Sequence, residues 1–369
     1  MLKRIYIDNY KCLVNFDLQV GPLNLFLGPN GSGKSTVFEA LGKLRTLVVH
    51  GGVVSAEFQL SSRTRWQTSS PQRFELELST QGGTYRYELE VDYDSNDLVA
   101  FIRHERLWLD SRPVVMVEDR VAYFYQDDGS KSDHFRLDGS RSIVNFIPLY
   151  NRAMAEFRVC LNEVLVIRLD ANLIQDGGIQ SEAYPSTWGD NYAAWYRHLS
   201  QDQGLIFELT DLLKEVLPGF AFFKFSDVGE GFILKTVFNA QNGSRPTQIE
   251  YRFAELSDGQ RILVVLYTLL LVAQKRHYVL CLDEPENFLA LPEIQPWLLR
   301  LYDGCMDDQM QALLISHHPE LIDYLLASPV GLWFDRETNT PVRVKSITHQ
   351  KDEGGLPVSE LIARGWLDA

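Results

Sequence analysis

The spacing of hydrophobic positions changes along the chain, and each change predicts a different kind of element. Residues 1–48 read as strand, turn, strand, loop and helix. Within them Leu23-Asn24-Leu25-Phe26-Leu27 is a short apolar strand, and Val37, Leu41 and Leu44 recur at helical spacing. Over residues 49–148 the period falls to two, which predicts an antiparallel β lobe. Phe74, Leu76 and Leu78 alternate with polar neighbours, Gln81-Gly82-Gly83 turns the chain, and Tyr85, Tyr87, Leu89, Val91 and Tyr93 resume the alternation. Further strands are expected around Asp127-Asp128-Gly129. An aromatic stripe at strand spacing is one packed face of a sheet more often than a platform for nucleic acid. Residues 149–250 predict a helical lobe, clearest from Asn191 to Leu217, followed by a hairpin that turns at Gly229-Glu230-Gly231. Residues 251–335 return to helix, strand, helix and strand. Residues 336–369, with Gly354-Gly355 and Pro357, predict a peripheral tail.

The longest apolar run, Ile262 to Ala273, is too short to span a bilayer and predicts a buried helix. The N-terminus enters strand alternation at once and has no signal-peptide pattern. A soluble protein of the cytoplasm with no membrane partner is therefore expected. At 45% hydrophobic and 23% charged residues the composition is that of a globular protein with a sizeable core. The four cysteines, Cys12, Cys160, Cys281 and Cys305, form no CxxC pair, which argues for reduced thiols and against a zinc site. A net charge of −14 disfavours uniform attraction to nucleic acid, although residues 1–50 hold six basic residues against three acidic ones.

Three segments carry chemistry. Gly28-Pro29-Asn30-Gly31-Ser32-Gly33-Lys34-Ser35-Thr36 fits GxxxxGK[ST] between an apolar strand and a helix, as a phosphate loop requires. Its glycines permit close backbone approach, and successive N–H groups at a helix start form an anion nest. Asn30 to Thr36 are the expected phosphate cradle. Lys34 is expected to reach the β- and γ-phosphates, and the Ser35 hydroxyl to ligate Mg²⁺. The second segment is Tyr278-Val279-Leu280-Cys281-Leu282, an apolar strand that ends in Asp283-Glu284-Pro285-Glu286. Asp283 is placed to hold the Mg²⁺ shell, Glu284 to polarise an attacking water as general base, and Glu286 reads as a solvated loop residue. The third is Leu256-Ser257-Asp258-Gly259-Gln260-Arg261, where Ser257 is at least a plausible helix N-cap.

Leu-Ser-Asp-Gly-Gln resembles the signature motif of ABC-type ATPases, and the three segments occur in that superfamily's order. The resemblance implies an α/β fold, an ABC-type (P-loop NTPase) ATPase head with an antiparallel β lobe and a helical signature lobe. It also implies that Ser257, Gly259 and Gln260 bind ATP held by the opposite subunit, so that ATP and Mg²⁺ close a homodimer. Ser316-His317-His318-Pro319 resembles the Thr-His-Ser-Pro switch segment of RecF- and OLD-like ATPases. His317 matches the histidine that contacts the γ-phosphate, and His318 departs from the pattern.

The 223 residues between Lys34 and Ser257 make a transporter domain unlike this chain, and no sustained heptads suggest SMC arms. The closest resemblance is to stand-alone RecF/OLD-like AAA-type ATPases, through Gly189-Asp190-Asn191-Tyr192-Ala193-Ala194 and Asp283-Glu284-Pro285-Glu286-Asn287. Leu289-Ala290-Leu291-Pro292 replaces the family's Leu-His-Pro. For a glutamine loop, Gln67 and Gln126 are the weak candidates. Only 52 residues follow His317, too few for the TOPRIM nuclease of OLD proteins. The resemblance thus implies a slow regulatory ATPase whose effector, a nuclease or toxin, is a separate protein in anti-phage defence. The alternative is a RecF/SMC-like DNA-binding ATPase in repair or recombination.

Overall fold

The computed structural model describes residues 1–67, 71–94, 99–118, 120–126, 130–146, 152–242, 245–347 and 359–360. The Asp127-Asp128-Gly129 turn and the tail residues Gly354, Gly355 and Pro357 lie outside them.

The chain opens with β1 (Leu2–Asp8), β2 (Phe16–Gln19), β3 (Leu23–Leu27) and α1 (Lys34–Val49). Two short helices intervene, α2 (Val54–Glu57) here and α3 (Ile143–Phe146) later. Between them run β4 (Gln72–Thr80), β5 (Gly83–Tyr93), β6 (Ala100–Leu109), β7 (Arg112–Glu118), β8 (Val121–Tyr125) and β9 (Lys131–Arg136). The next lobe contains α4 (Arg152–Asn162), β10 (Val164–Ile167), β11 (Gly177–Gly178), α5 (Tyr192–Leu199) and α6 (Gln203–Val216). It ends in β12 (Phe220–Val228), β13 (Gly231–Asn242) and β14 (Arg245–Arg252). The last part is α7 (Asp258–Arg276), β15 (Val279–Asp283), α8 (Leu291–Met306), β16 (Gln311–Ile315), α9 (Pro319–Leu325), β17 (Gly331–Asp335) and β18 (Arg343–Ile347).

The central sheet has the order β10-β15-β16-β3-β17-β18, parallel except for β18 at its edge. Every residue of β3, β15 and β16 is buried, because both faces of this sheet are covered. Alternation sorts the side chains. Leu25, Leu280, Leu282 and Leu314 join the core formed with α5 to α8. Phe26, Val279, Cys281, Leu313 and Ile315 join the core formed with α1 and the antiparallel lobe. Helix α7 is buried without a break from Ile262 to Ala273, as expected for a helix apolar on all sides.

The antiparallel sheet has eight strands, β2-β1-β4-β5-β6-β7-β8-β9, and recruits β1 and β2 from the N-terminus. The sequence reading saw two strands before α1; there are three, and the first pair belongs to this lobe. Leu2, Ile5 and Ile7 point into its core, while Arg4 bridges Asp17 and Glu75 on the other face. The strand not foreseen is β2, whose four residues, Phe16-Asp17-Leu18-Gln19, are too few for alternation to mark.

Other differences have similar physical causes. The helical reading of residues 149–218 passed over β10, whose Val164-Leu165-Val166-Ile167 is too short for periodicity to tell strand from helix. The stretch from Asn191 to Leu217 breaks at Ser200 to Asp202, where the Asp202 carboxylate accepts from Leu205 N–H and caps α6. The hairpin gains two further strands on the edge of β13 away from β12: β11, and β14, which is exposed from Thr247 to Arg252. Beyond β16 the chain adds α9 and β17, and β18 lies within the segment read as a tail.

Gln311 ties the two large sheets together. Buried at the start of β16, its amide oxygen accepts from Leu2 N–H at 2.7 Å, and its amide nitrogen donates to Leu2 and Gly21 carbonyls at 2.7 Å each. Gln311→Leu keeps the volume but leaves these backbone groups unpaired, so unfolding in urea should show a loss of about 2–4 kcal/mol. An unchanged midpoint would mean that the clamp carries no weight.

Candidate functional site

Because β3, β15 and β16 run parallel in adjacent positions, their C-terminal ends open at one edge of the sheet. The loop after β3 wraps tightly. Gly28 has φ +135°, and a Cβ there would meet the Phe334 carbonyl oxygen at 2.2 Å. Gly33 has φ +104°, and its Cβ would meet Cys12 Sγ at 2.9 Å; at Gly31, φ +80°, no atom lies within 4 Å of a Cβ. Lys34 is the first residue of α1 and is buried. Its Nζ donates to the carbonyls of Gly28 (2.7 Å) and Pro29 (3.0 Å). Burial lowers the Lys34 pKa, and Asp283 and Glu284 oppose that shift. The buried Ser32 hydroxyl has no hydrogen-bond partner among the described residues.

Asp283 ends β15 and is buried, which raises its pKa; a hydrogen bond from Ser35 and the charge of Arg168 work against this. Glu284 turns the chain at φ +52°, a left-handed conformation fixed in part by its N–H donating to Ile315 O at 2.9 Å. Its carboxylate accepts from Asn287 Nδ2 at 2.9 Å and faces His317 Nε2 at 3.9 Å.

Glu286 corrects the expectation of a solvated loop residue. It is 9% exposed, and its Oε1 accepts from Ser316 Oγ at 2.5 Å and from His317 N–H at 3.3 Å. Burial raises its pKa, with the Ser316 bond opposing. The acidic strand end therefore holds the histidine segment in place, which the alternation of charges in the sequence did not reveal. His318 stands at the N-cap of α9 and donates its N–H to Ser316 Oγ at 3.1 Å.

These segments line one cleft of about 790 Å³, to which Asn30, Gly31, Gly33, Lys34, Ser35, Thr36, Asp283, Glu284 and His317 contribute. Six cationic side chains, Lys11, Lys34, Arg63, Arg65, Arg168 and Arg336, face only two carboxylates there. Such a balance suits a polyanion. Of the six, only Lys34 belongs to the three segments that carry chemistry in the sequence. The others sit on loops whose convergence depends on the fold, and Arg336 reaches back 305 residues to donate to Gly31 O at 3.2 Å. Trp66 lies under Arg336, with 5.1 Å between guanidinium carbon and ring centroid. Gln126 lines a separate small cavity beside Leu109 and Pro113. Gln67 follows Trp66 but is not among the residues that line the cleft.

Ser257, Gly259 and Gln260 do not line this cleft. Ser257 is exposed at the N-cap of α7, where its Oγ accepts from Gln260 N–H (3.3 Å) and its N–H donates to Gln260 Oε1 (3.1 Å). Gly259 packs against the loop after the acidic strand: a Cβ would meet Phe288 O at 3.0 Å. Phe288 itself is 47% exposed.

The fit to Mg²⁺ and a nucleotide phosphate rests on this donor set. A glycine cradle, an orphaned serine hydroxyl, a lysine at a helix start and a Ser35–Asp283 pair suit phosphate oxygens and a hard cation. Among the described residues no group of three or more His, Cys, Asp or Glu side chains could hold a metal ion. No described helix is long and apolar enough to cross a membrane.

Comparison with known proteins agrees with this chemistry. Residues 1–57 match the AAA ATPase domain family, and residues 188–323 match the family described as "AAA domain, putative AbiEii toxin, Type IV TA system". A 41-residue segment is 49% identical to the OLD nuclease of Thermus scotoductus; it spans 11% of this chain and 8% of that protein. Similar solved structures include the SMC head domain from Thermotoga maritima, with 12% identity over 94% of this chain and 98% of that one, at TM-score 0.49. Another is the Smc head domain bound to the C-terminal domain of ScpA derived from Pyrococcus furiosus, with 11% identity over 94% and 96%, also at TM-score 0.49. The two family matches bracket the phosphate loop at one end and the signature, acidic and histidine segments at the other. Two parts of the chain thus match AAA-type ATPase families, and the chain resembles an OLD/RecF-like ATPase of the ABC type.

Proposed function

We propose that the chain binds and slowly hydrolyses ATP with Mg²⁺, closes as a homodimer or higher homo-oligomer around it, and thereby controls a separate nuclease or toxin in anti-phage defence. The observation that carries this reading is the division of the site. The phosphate loop, Asp283, Glu284 and His317 share one cleft, whereas Ser257, which is exposed, and Gly259 and Gln260, which are half-buried, stand outside it in the same chain. A site built this way is completed by a second copy.

In this scheme the backbone N–H groups from Asn30 to Thr36 hold the phosphates, and Lys34 exchanges its loop carbonyls for phosphate oxygens. Ser35 and Asp283 would hold Mg²⁺, which would supply positive charge to neutralise the phosphate oxygens. Glu284, oriented by Asn287, takes a proton from the attacking water; His317, held by Glu286 and facing Glu284, stabilises charge on the transferred group. Across the interface Ser257, Gly259 and Gln260 present the positive end of α7 to the γ-phosphate. The toxin–antitoxin description attached to the matched family, and the identity to an OLD nuclease, support a partner that degrades or poisons.

Ser257→Arg is expected to reduce ATP turnover at least about 100-fold while nucleotide affinity stays within about twofold, because the residue acts on the partner's site. Loss of binding in equilibrium titration would reduce the segment to a helix cap. Coexpression with the adjacent reading frame should be toxic only with an intact Lys34. Absence of toxicity, together with DNA binding that weakens steeply with salt, would favour the repair reading.

A further inference from the structure

Strand β10 brings to the cleft a residue that none of the sequence motifs contains. Its register pairs Ile167 with Leu282, so Arg168 leaves the strand beside Asp283. The base of Arg168 is fixed: its N–H donates to Thr187 O at 2.7 Å, and Asp170 N–H donates to Trp188 O at 3.3 Å. The guanidinium lies 5.7 Å from the Trp188 ring centroid, and its Nη1 is 4.0 Å from Asp283 Oδ2. The Arg168 side chain is 52% exposed, that of Asp283 only 9%.

This ion pair is loose. Its separation exceeds a hydrogen bond, and a half-solvated guanidinium gains little from such a contact. Other cations of the cleft are engaged more closely: Lys11 with Glu39, Lys34 with two loop carbonyls, and Arg336 with the carbonyls of Gly31 and Thr340. The carboxylate beside Arg168 is the one assigned to Mg²⁺ above. A dication there would satisfy Asp283 and repel the guanidinium, while the terminal phosphate would offer it planar, paired acceptors.

We infer that Arg168 is a terminal-phosphate sensor supplied within the same chain, resting beside Asp283 without nucleotide and turning to the γ-phosphoryl oxygens when Mg·ATP is held. The inference rests on the ATP reading of the cleft and adds to it a residue that distinguishes ATP from ADP.

The test is calorimetric titration of wild type, Arg168→Ala and Arg168→Lys with Mg²⁺ and either a non-hydrolysable ATP analogue or ADP. Arg168→Ala should weaken the analogue about tenfold or more, as loss of a charge-assisted phosphate contact implies, and leave ADP within about twofold. Arg168→Lys should fall between. Equal losses for both nucleotides, or no loss for either, would overturn the sensor. A wild type that binds neither nucleotide would instead remove the ATP reading, a result that involves no substitution. Unfolding temperatures without nucleotide should agree among the three proteins, since the side chain is half in water; a large drop would assign Arg168 to the fold.

Discussion

Strands β3, β15 and β16 have no face open to water, and this constraint organises the rest of the molecule. A strand covered on both sides has few places for a charge along its length, so polar groups are found where it ends. Three such strands, parallel and adjacent, end at the same edge. The phosphate loop, Asp283 with Glu284, and Ser316 with His317 are therefore brought together by the packing that buries Leu25, Leu282 and Leu314. The cores on the two faces fix the height and direction of each strand end, and Gln311 locks the parallel sheet to the antiparallel lobe at the opposite end of β16.

What was legible in the sequence follows from the same constraint. A continuous apolar pentapeptide that meets glycines or acids is a strong local signal, and the segments around Lys34, Asp283 and His317 are found where such strands end. Helix α7 was legible because it is apolar on every side. The missing parts were those whose meaning depends on partners distant in sequence. β10 has four residues and takes its identity from β15; β1 is assigned to its sheet by pairing with β4, and β2 by pairing with β1. Lys11, Arg63, Arg65 and Arg336 lie outside the phosphate-loop, acidic and histidine segments and enter the cleft through tertiary convergence. Glu286 misled for a simple reason: its proximity to other acids suggests solvent, whereas a serine and a backbone N–H across the sheet stabilise it in a buried position.

The arrangement also explains how one chain can hold a nucleotide without completing the chemistry. The phosphate loop and the carboxylate proposed to activate water share a cleft, but the start of α7 does not line it. Contact between Gly259 and the Phe288 loop couples that surface to the segment just beyond Glu284. Arg168 follows β10, so elements on both sides of β15 contribute to the cleft.

The central claim is that the site is shared between two copies, and a structure determined with Mg²⁺ and a non-hydrolysable ATP analogue tests it most directly. The account predicts two nucleotides at the interface, each held by Lys34 of one copy and met by Ser257 and Gly259 of the other. A nucleotide held by Lys34 with Ser257 and Gly259 of every copy facing solvent would contradict it.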